Sequence, residues 1–260
     1  MLDAPPSAPL ARFTLDAGVA TITLDRDAKR NAFDTALADA VTAGIARAED
    51  DAARAVIIRA NDGAKVFSAG HDLAEMRAHG VVDDETDAYW RMIARVQASP
   101  LPVIVAVGAP VLAGGVLLVA VADIAIGTPA ATATMTANRM GVPFRAETYA
   151  VLVQVMGLKK AKELMLTAAP LSPEEGLRCG LWNHVVPQRE LIQAAQDIAA
   201  RIAALSAEGV ALSKGALNGL AAATGLADAT AAALDQARRA RLASPDLAAR
   251  VAALLDGLKR

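Results

Sequence analysis

Two places in this sequence repeat one arrangement: a β-branched apolar run, a glycine-containing turn and the start of a helix. That repetition leaves few folds open. The first begins at Val56-Ile57-Ile58 and continues through Lys65-Val66-Phe67-Ser68-Ala69-Gly70-His71-Asp72-Leu73, with a helix opening near Asp72. The second leads from a strand over 102–107 through Leu112-Ala113-Gly114-Gly115 into a helix over 114–121. Strand, turn and helix recurring in one order predict a layered α/β core. Each turn also gathers helix N–H groups that have no intrahelical acceptor, where the dipole favours negative charge. Two such turns can aim two N–H groups at one carbonyl oxygen, which is the geometry of an oxyanion hole.

The rest of the chain supports this core. Residues 12–15 and 19–24 alternate about Ala17-Gly18 as a hairpin, and Asp34 can cap a helix with Leu37, Val41 and Ile45 on one face. A helix is predicted over 84–97 with Tyr89, Ile93 and Val96 inward, after a break at His79-Gly80 that reads as a mobile loop. Strands are expected at 124–126, 131–136 and 185–186, and Ser172-Pro173-Glu174-Glu175 has the form of a capping box. Ala- and Leu-rich helices follow near 189–205, 207–223, 226–243 and 246–258, with more apolar surface than a small terminal lobe can bury on itself.

The segment 101–122 carries no charge and has about the ~20 residues of a membrane helix. Pro102, Gly108, Pro110, Gly114 and Gly115 divide it into a buried strand, a turn and a buried helix. The N-terminus, with Asp3, Pro5, Pro6 and Pro9, lacks the pattern of a signal peptide. With 26 basic and 28 acidic residues the net charge is −2, and no basic stripe interleaved with aromatics points to nucleic acid. Cys179 is the single cysteine, so no intrachain disulfide forms, and a reducing cytoplasm is expected. His79 and His184 have no metal-binding pattern, and His184 is expected to pack near the 185–186 strand. Ser68, His71 and Asp72 do not form a hydrolase triad, because Ser68 is not on a nucleophile elbow.

Several separated motifs, in order, resemble the enoyl-CoA hydratase/isomerase (crotonase) superfamily. They are Val19-Ala20-Thr21-Ile22-Thr23-Leu24-Asp25-Arg26 with Asn31-Ala32-Phe33, then residues 66–73, 106–123, Met140-Gly141-Val142-Pro143 and 181–187. The resemblance implies an α/β fold, the crotonase (ClpP-like) spiral of ββα units with a C-terminal helical trimerisation region. It divides the chain into a loose tail at 1–9, a spiral acyl-CoA-binding core at 10–200 and a helical region at 201–260. It implies a homotrimer or dimer of trimers acting on an acyl-CoA, with no cofactor beyond the coenzyme A moiety, no metal, no nucleic acid and no membrane.

By position, the family's oxyanion-hole donors fall on the backbone N–H of His71 and Gly114. Arg26 and Lys29 or Arg30 would approach the coenzyme A phosphates, Ala69, Gly70, His71, Asp72 and Leu73 would cup the adenine, and Lys259 and Arg260 could reach a neighbouring subunit's ligand. The two hydratase glutamates correspond to Leu117 and Ala137, neither of which can move a proton. A closer resemblance is to methylmalonyl-CoA decarboxylase-like members, carried by residues 63–73, 140–144, Lys162-Glu163-Leu164 and Asn183-His184-Val185-Val186. There a histidine at the position of His71 and a tyrosine at the position of Phe144 hold the substrate carboxylate. Decarboxylation of a malonyl-type thioester makes an enolate without a base, so it suits the lost glutamates. His71, which can be protonated near neutral pH, is expected to bind the carboxylate, the alternative being that it simply occupies an exposed turn. Arg145 could replace the missing tyrosine by a bidentate pair, or be a solvated charge. Glu147 could be a displaced acid/base, or simply favour the helix start. Two alternatives stand beside decarboxylation: a hydratase or isomerase recruiting Glu147, and a non-catalytic acyl-CoA-binding protein. The pocket wall is expected between residues 77 and 87.

Overall fold

The computed structural model describes residues 10–75, 87–223 and 227–257. The tail at 1–9, the His79-Gly80 break, nearly all of the expected wall at 77–87, and Lys259 and Arg260 lie outside them. A six-stranded sheet runs in the order β1 (Ala11–Asp16), β2 (Val19–Leu24), β3 (Ala55–Ala60), β4 (Val103–Val107), β6 (Ile124–Gly127), β8 (His184–Val185). The first pair is the antiparallel hairpin around Ala17-Gly18, and every later pairing is parallel. A second, two-stranded parallel sheet joins β5 (Val111–Leu112) to β7 (Ala133–Thr134).

Residues Ala55 to Ile58 of β3 and all of β4 read as continuous apolar runs because both faces of the sheet are covered there. Val56, Ile58, Val103 and Val105 face a core completed by Leu37, Val41 and Ile45 of α1 (Thr35–Asp50) and Tyr89, Met92, Ile93 and Val96 of α2 (Ala88–Ala98). Their neighbours Ala55, Ile57, Ile104 and Ala106 point the other way, onto Leu191, Ala195, Ile198 and Ala199 of α7 (Leu191–Ala203). Asp34 caps α1 by accepting from the Leu37 amide at 2.9 Å. The apolar segment at 101–122 becomes β4, β5 and the short α3 (Gly114–Val121). No helix among the described residues is long and apolar enough to cross a membrane.

Several expectations shift. The helix expected from 84 begins at Ala88, because Asp87 is extended and accepts from the Tyr89 amide as its cap. The strand expected at 131–136 shrinks to β7, since α4 (Ala137–Met140) and its neighbouring turns take the flanks. The segment after Pro143 forms the 22-residue α5 (Ala146–Thr167), broken at Gly157, whose φ is 75°. Helix α6 (Pro173–Cys179) has the full capping box at Ser172 and Glu175. His184 is exposed rather than packed, because it sits on the edge strand β8. The terminal helices are α8 (Ala207–Ala223), α9 (Asp228–Leu242) and α10 (Pro245–Gly257).

Helix α8 is held to the core by one buried cation. Lys214 Nζ donates to the carbonyls of Val96 (3.2 Å) and Leu101 (2.9 Å) and pairs with Asp123 at 2.7 Å. Asp123 also accepts from the Val103 amide at the start of β4. Lys214→Met should cost about 3–5 kcal/mol, because it strands the carboxylate and two carbonyls. Lys214→Met with Asp123→Leu should recover part of that loss. Urea unfolding of the three proteins measures both differences.

Candidate active site

The two glycine turns lie side by side. Ser68 bridges Val111 in parallel, the Phe67 amide donates to Pro110 O (2.9 Å), and the Leu112 amide donates to Ser68 O (2.9 Å). Residue 71 is bridged to Phe33 through Phe33 N to Gly70 O (2.7 Å) and Asp72 N to Phe33 O (2.8 Å), so the His71 amide faces away from that bridge. On the other turn, Ala113 holds the unusual backbone φ 46°, ψ −116°, and its amide donates to Thr134 O. A non-glycine residue in this region is strained, and such strain collects at functional sites. Neither the His71 amide nor the Gly114 amide has an acceptor among the described residues.

Two glycines make this approach possible. Gly70 has φ +85°, and a Cβ there would lie 2.6 Å from Gly114 N and 3.0 Å from Leu112 O. A Cβ at Gly114 would lie 2.8 Å from the Tyr89 hydroxyl. That hydroxyl is buried and donates to Gly114 O at 2.8 Å, and burial pushes its pKa upward. Tyr89 also stacks on the His71 ring, with centroids 5.1 Å apart and planes at 23°. One buried phenol therefore steadies both turns. Sequence periodicity marks Tyr89 only as an inner-face residue.

The two free amides border a cavity of about 430 Å³. Ala69, His71, Leu73, Ala113, Ala137 and Phe144 line it. Trp90 closes one part, and three arginines, Arg30, Arg139 and Arg238, supply its charge. Among the described lining residues there is no carboxylate. Arg139 and Arg238 have no pattern in the sequence that marks them; α9 brings Arg238 back from far along the chain.

Several expected site residues lie elsewhere. Leu117 is 2% exposed, belongs to the core and borders a separate cavity of about 230 Å³. Arg145 and the exposed Glu147 line that smaller cavity, not the one beside His71 and Gly114. The Arg145 guanidinium lies 4.5 Å from the Trp90 ring centroid, a cation–π contact on the far boundary. Arg26 is taken up by structure: it pairs with Asp72 (2.8 Å) and Asp34 (2.6 Å) and donates to Ala32 O (2.7 Å). Lys29 is exposed and does not line the cavity. Asp72 is buried on Arg26 and caps the helical turn after it through the Ala74 and Glu75 amides. Burial raises its carboxyl, but Arg26 and those amides outweigh burial and hold it below the ordinary range.

His71 is also corrected. Its Nε2 lies 3.7 Å from Asp87 Oδ2, and Asp87, Glu75 and Asp72 all favour the imidazolium. Burial outweighs the three and lowers its pKa, which favours the neutral ring, with one N–H to donate rather than a full charge.

Residues 14–242 match the enoyl-CoA hydratase/isomerase family. The chain is 33% identical over 174 residues to methylmalonyl-CoA decarboxylase of Escherichia coli, covering 66% of this chain and 67% of that protein. It is 32% identical over 200 residues to human mitochondrial enoyl-CoA hydratase domain-containing protein 3, covering 76% of this chain and 65% of that one, just under two thirds of its length. It is 30% identical to a probable enoyl-CoA hydratase of Mycobacterium tuberculosis over 78% of this chain and 79% of that one. Among solved structures, methylmalonyl-CoA decarboxylase complexed with 2S-carboxypropyl CoA superposes with a TM-score of 0.90 at 28% identity, covering 96% of this chain and 97% of that one. With the expected sheet-and-turn architecture in place and the family match running through nearly all of it, the chain belongs to the enoyl-CoA hydratase/isomerase (crotonase) family.

Proposed function

We propose that this protein is an acyl-CoA enzyme that decarboxylates a malonyl- or methylmalonyl-type coenzyme A thioester. The observation that carries this reading is the cavity beside the two free amides, which holds three arginines and, among its described lining, none of the carboxylates that hydratases of the family use. Adding water to a double bond or moving one requires a proton carrier at the α-carbon. Loss of carbon dioxide does not. It forms the enolate directly, and the charge appears on the thioester oxygen, where two fixed N–H donors stabilise it. The likeness to methylmalonyl-CoA decarboxylase supports the same reading.

The roles follow. The His71 and Gly114 amides receive the thioester oxygen, and the His71 side-chain N–H is available to the second carboxylate. The exposed Arg30 suits the coenzyme A phosphates, and no cofactor beyond that moiety is needed. Leu205, Leu212, Leu217 and Leu220 are each more than half exposed, an apolar face that supports assembly as a homotrimer or dimer of trimers.

Mass spectrometry of the protein incubated separately with methylmalonyl-CoA, malonyl-CoA and crotonyl-CoA tests the reaction. Loss of carbon dioxide from a diacid thioester is expected. Water addition to crotonyl-CoA alone would replace this reading with a hydratase, and binding without turnover of any of the three with a carrier protein. Gly70→Ala places a methyl group against the Gly114 amide and should lower kcat about 100- to 1000-fold, the usual loss for one oxyanion donor, while circular dichroism stays unchanged. The pKa of His71 is lower folded than in the unfolded chain, where it is about 6.5, so the unfolded state binds more protons in acid. Stability should therefore fall as pH drops below about 6.5, and urea titrations from pH 7.5 to 5.5 should show a shallower fall for His71→Gln.

A further inference from the structure

Arg238 is the one arginine of the three that is buried, at 6% exposure, whereas Arg30 and Arg139 are exposed. Its Nε donates to Pro143 O at 3.3 Å, and Arg241, three residues on, donates to Gly141 O at 3.3 Å. Helix α9 is thus fastened along the Gly141-Val142-Pro143 wall, and the fastening delivers a guanidinium to the cavity that His71 and Gly114 border. Arg241 donates its other bonds to Ser244 Oγ and Asp246 Oδ2 and does not line the cavity. Burial, with Arg239 nearby, pulls the Arg238 pKa down to about 10, which still leaves it charged at pH 7.

A desolvated guanidinium attracts an anion more strongly than an exposed one does, because water screens the latter. The rest of this cavity is mainly apolar, with Leu73, Leu112, Met140, Val142 and Phe144 on its walls. Phe144 cannot hold a carboxylate, and Arg145 is directed to the other cavity.

We propose that Arg238 recognises the second carboxylate of the substrate by a charge-assisted pair, and that it serves binding rather than bond breaking. The assignment rests on the decarboxylase reading for its substrate class. In that reaction the bond from the α-carbon to the carboxylate carbon breaks, and its electron pair moves through the α-carbon to the thioester oxygen. Carbon dioxide leaves neutral, and the enolate takes a proton at the α-carbon from solvent. Negative charge therefore moves away from Arg238 and toward the His71 and Gly114 amides. An interaction made in the ground state and lost in the transition state lowers KM without raising kcat.

Arg238→Gln should raise KM for methylmalonyl-CoA about 10- to 100-fold, the range for a hydrogen bond to a charged group, with kcat equal to or above that of the parent protein. Arg238→Lys, which keeps the charge and loses the fork, should fall between them. A non-reacting pair separates binding from reaction: the parent protein should bind 2-carboxypropyl-CoA more tightly than propyl-CoA, Arg238→Gln should erase that preference, and Arg239→Gln, a change at an exposed arginine of the same helix that does not line the cavity, should keep it. A lower kcat at unchanged KM, an equal loss of affinity for both thioethers, or no preference in the parent protein would each overturn the assignment. If the preference exists and depends on Arg238 while no thioester is decarboxylated, the carboxylate site stands and the proposed reaction falls.

Discussion

The parallel bridge between Ser68 and Val111 is the constraint on which the site depends. It lays two turns from separate strand–helix units against each other, closely enough that only hydrogen fits on the α-carbon of Gly70 beside the Gly114 amide. Backbone donors cannot be moved by rotating a side chain, so their spacing is set by the sheet behind them. The strained Ala113 and the buried Tyr89 hydroxyl are secondary to this contact: the first lets the chain enter α3 at that angle, and the second keeps it there. A site of this kind is rigid before any ligand arrives, which is what electrostatic stabilisation of a developing charge requires.

Much of this was legible in the sequence, for reasons that differ by element. Strand β4 and the stretch Ala55 to Ile58 of β3 announce themselves because they are covered on both faces and carry only apolar side chains, and Asp34 and Ser172 announce their helices because capping is local chemistry. The placement of the His71 and Gly114 amides beside one cavity follows from turn glycines and from motif order. Side-chain roles were less legible. Arg145 and Glu147 lie one and three residues after Phe144, yet the start of α5 turns them into a different cavity. Arg26 stands in a family motif, but two carboxylates and a carbonyl claim it. Arg238 lies about ninety residues beyond the segment it touches, and nothing local distinguishes it from Arg239 or Arg241.

His71 shows how burial and charge compete at one group. Three carboxylates surround it, a count that would suggest an imidazolium, and desolvation still prevails. A neutral ring can donate one hydrogen bond, and its stacking on Tyr89 fixes the plane in which it does so.

The fastening of α9 along the Gly141-Val142-Pro143 wall separates two kinds of inheritance within one chain. On the proposed function, the sheet and its paired turns would hold the thioester oxygen that every such substrate presents, and the helix that returns from the C-terminal end would meet the acyl part that differs between substrates. Under that reading, divergence confined to α9 would retune which acyl group is accepted while the paired turns stay untouched.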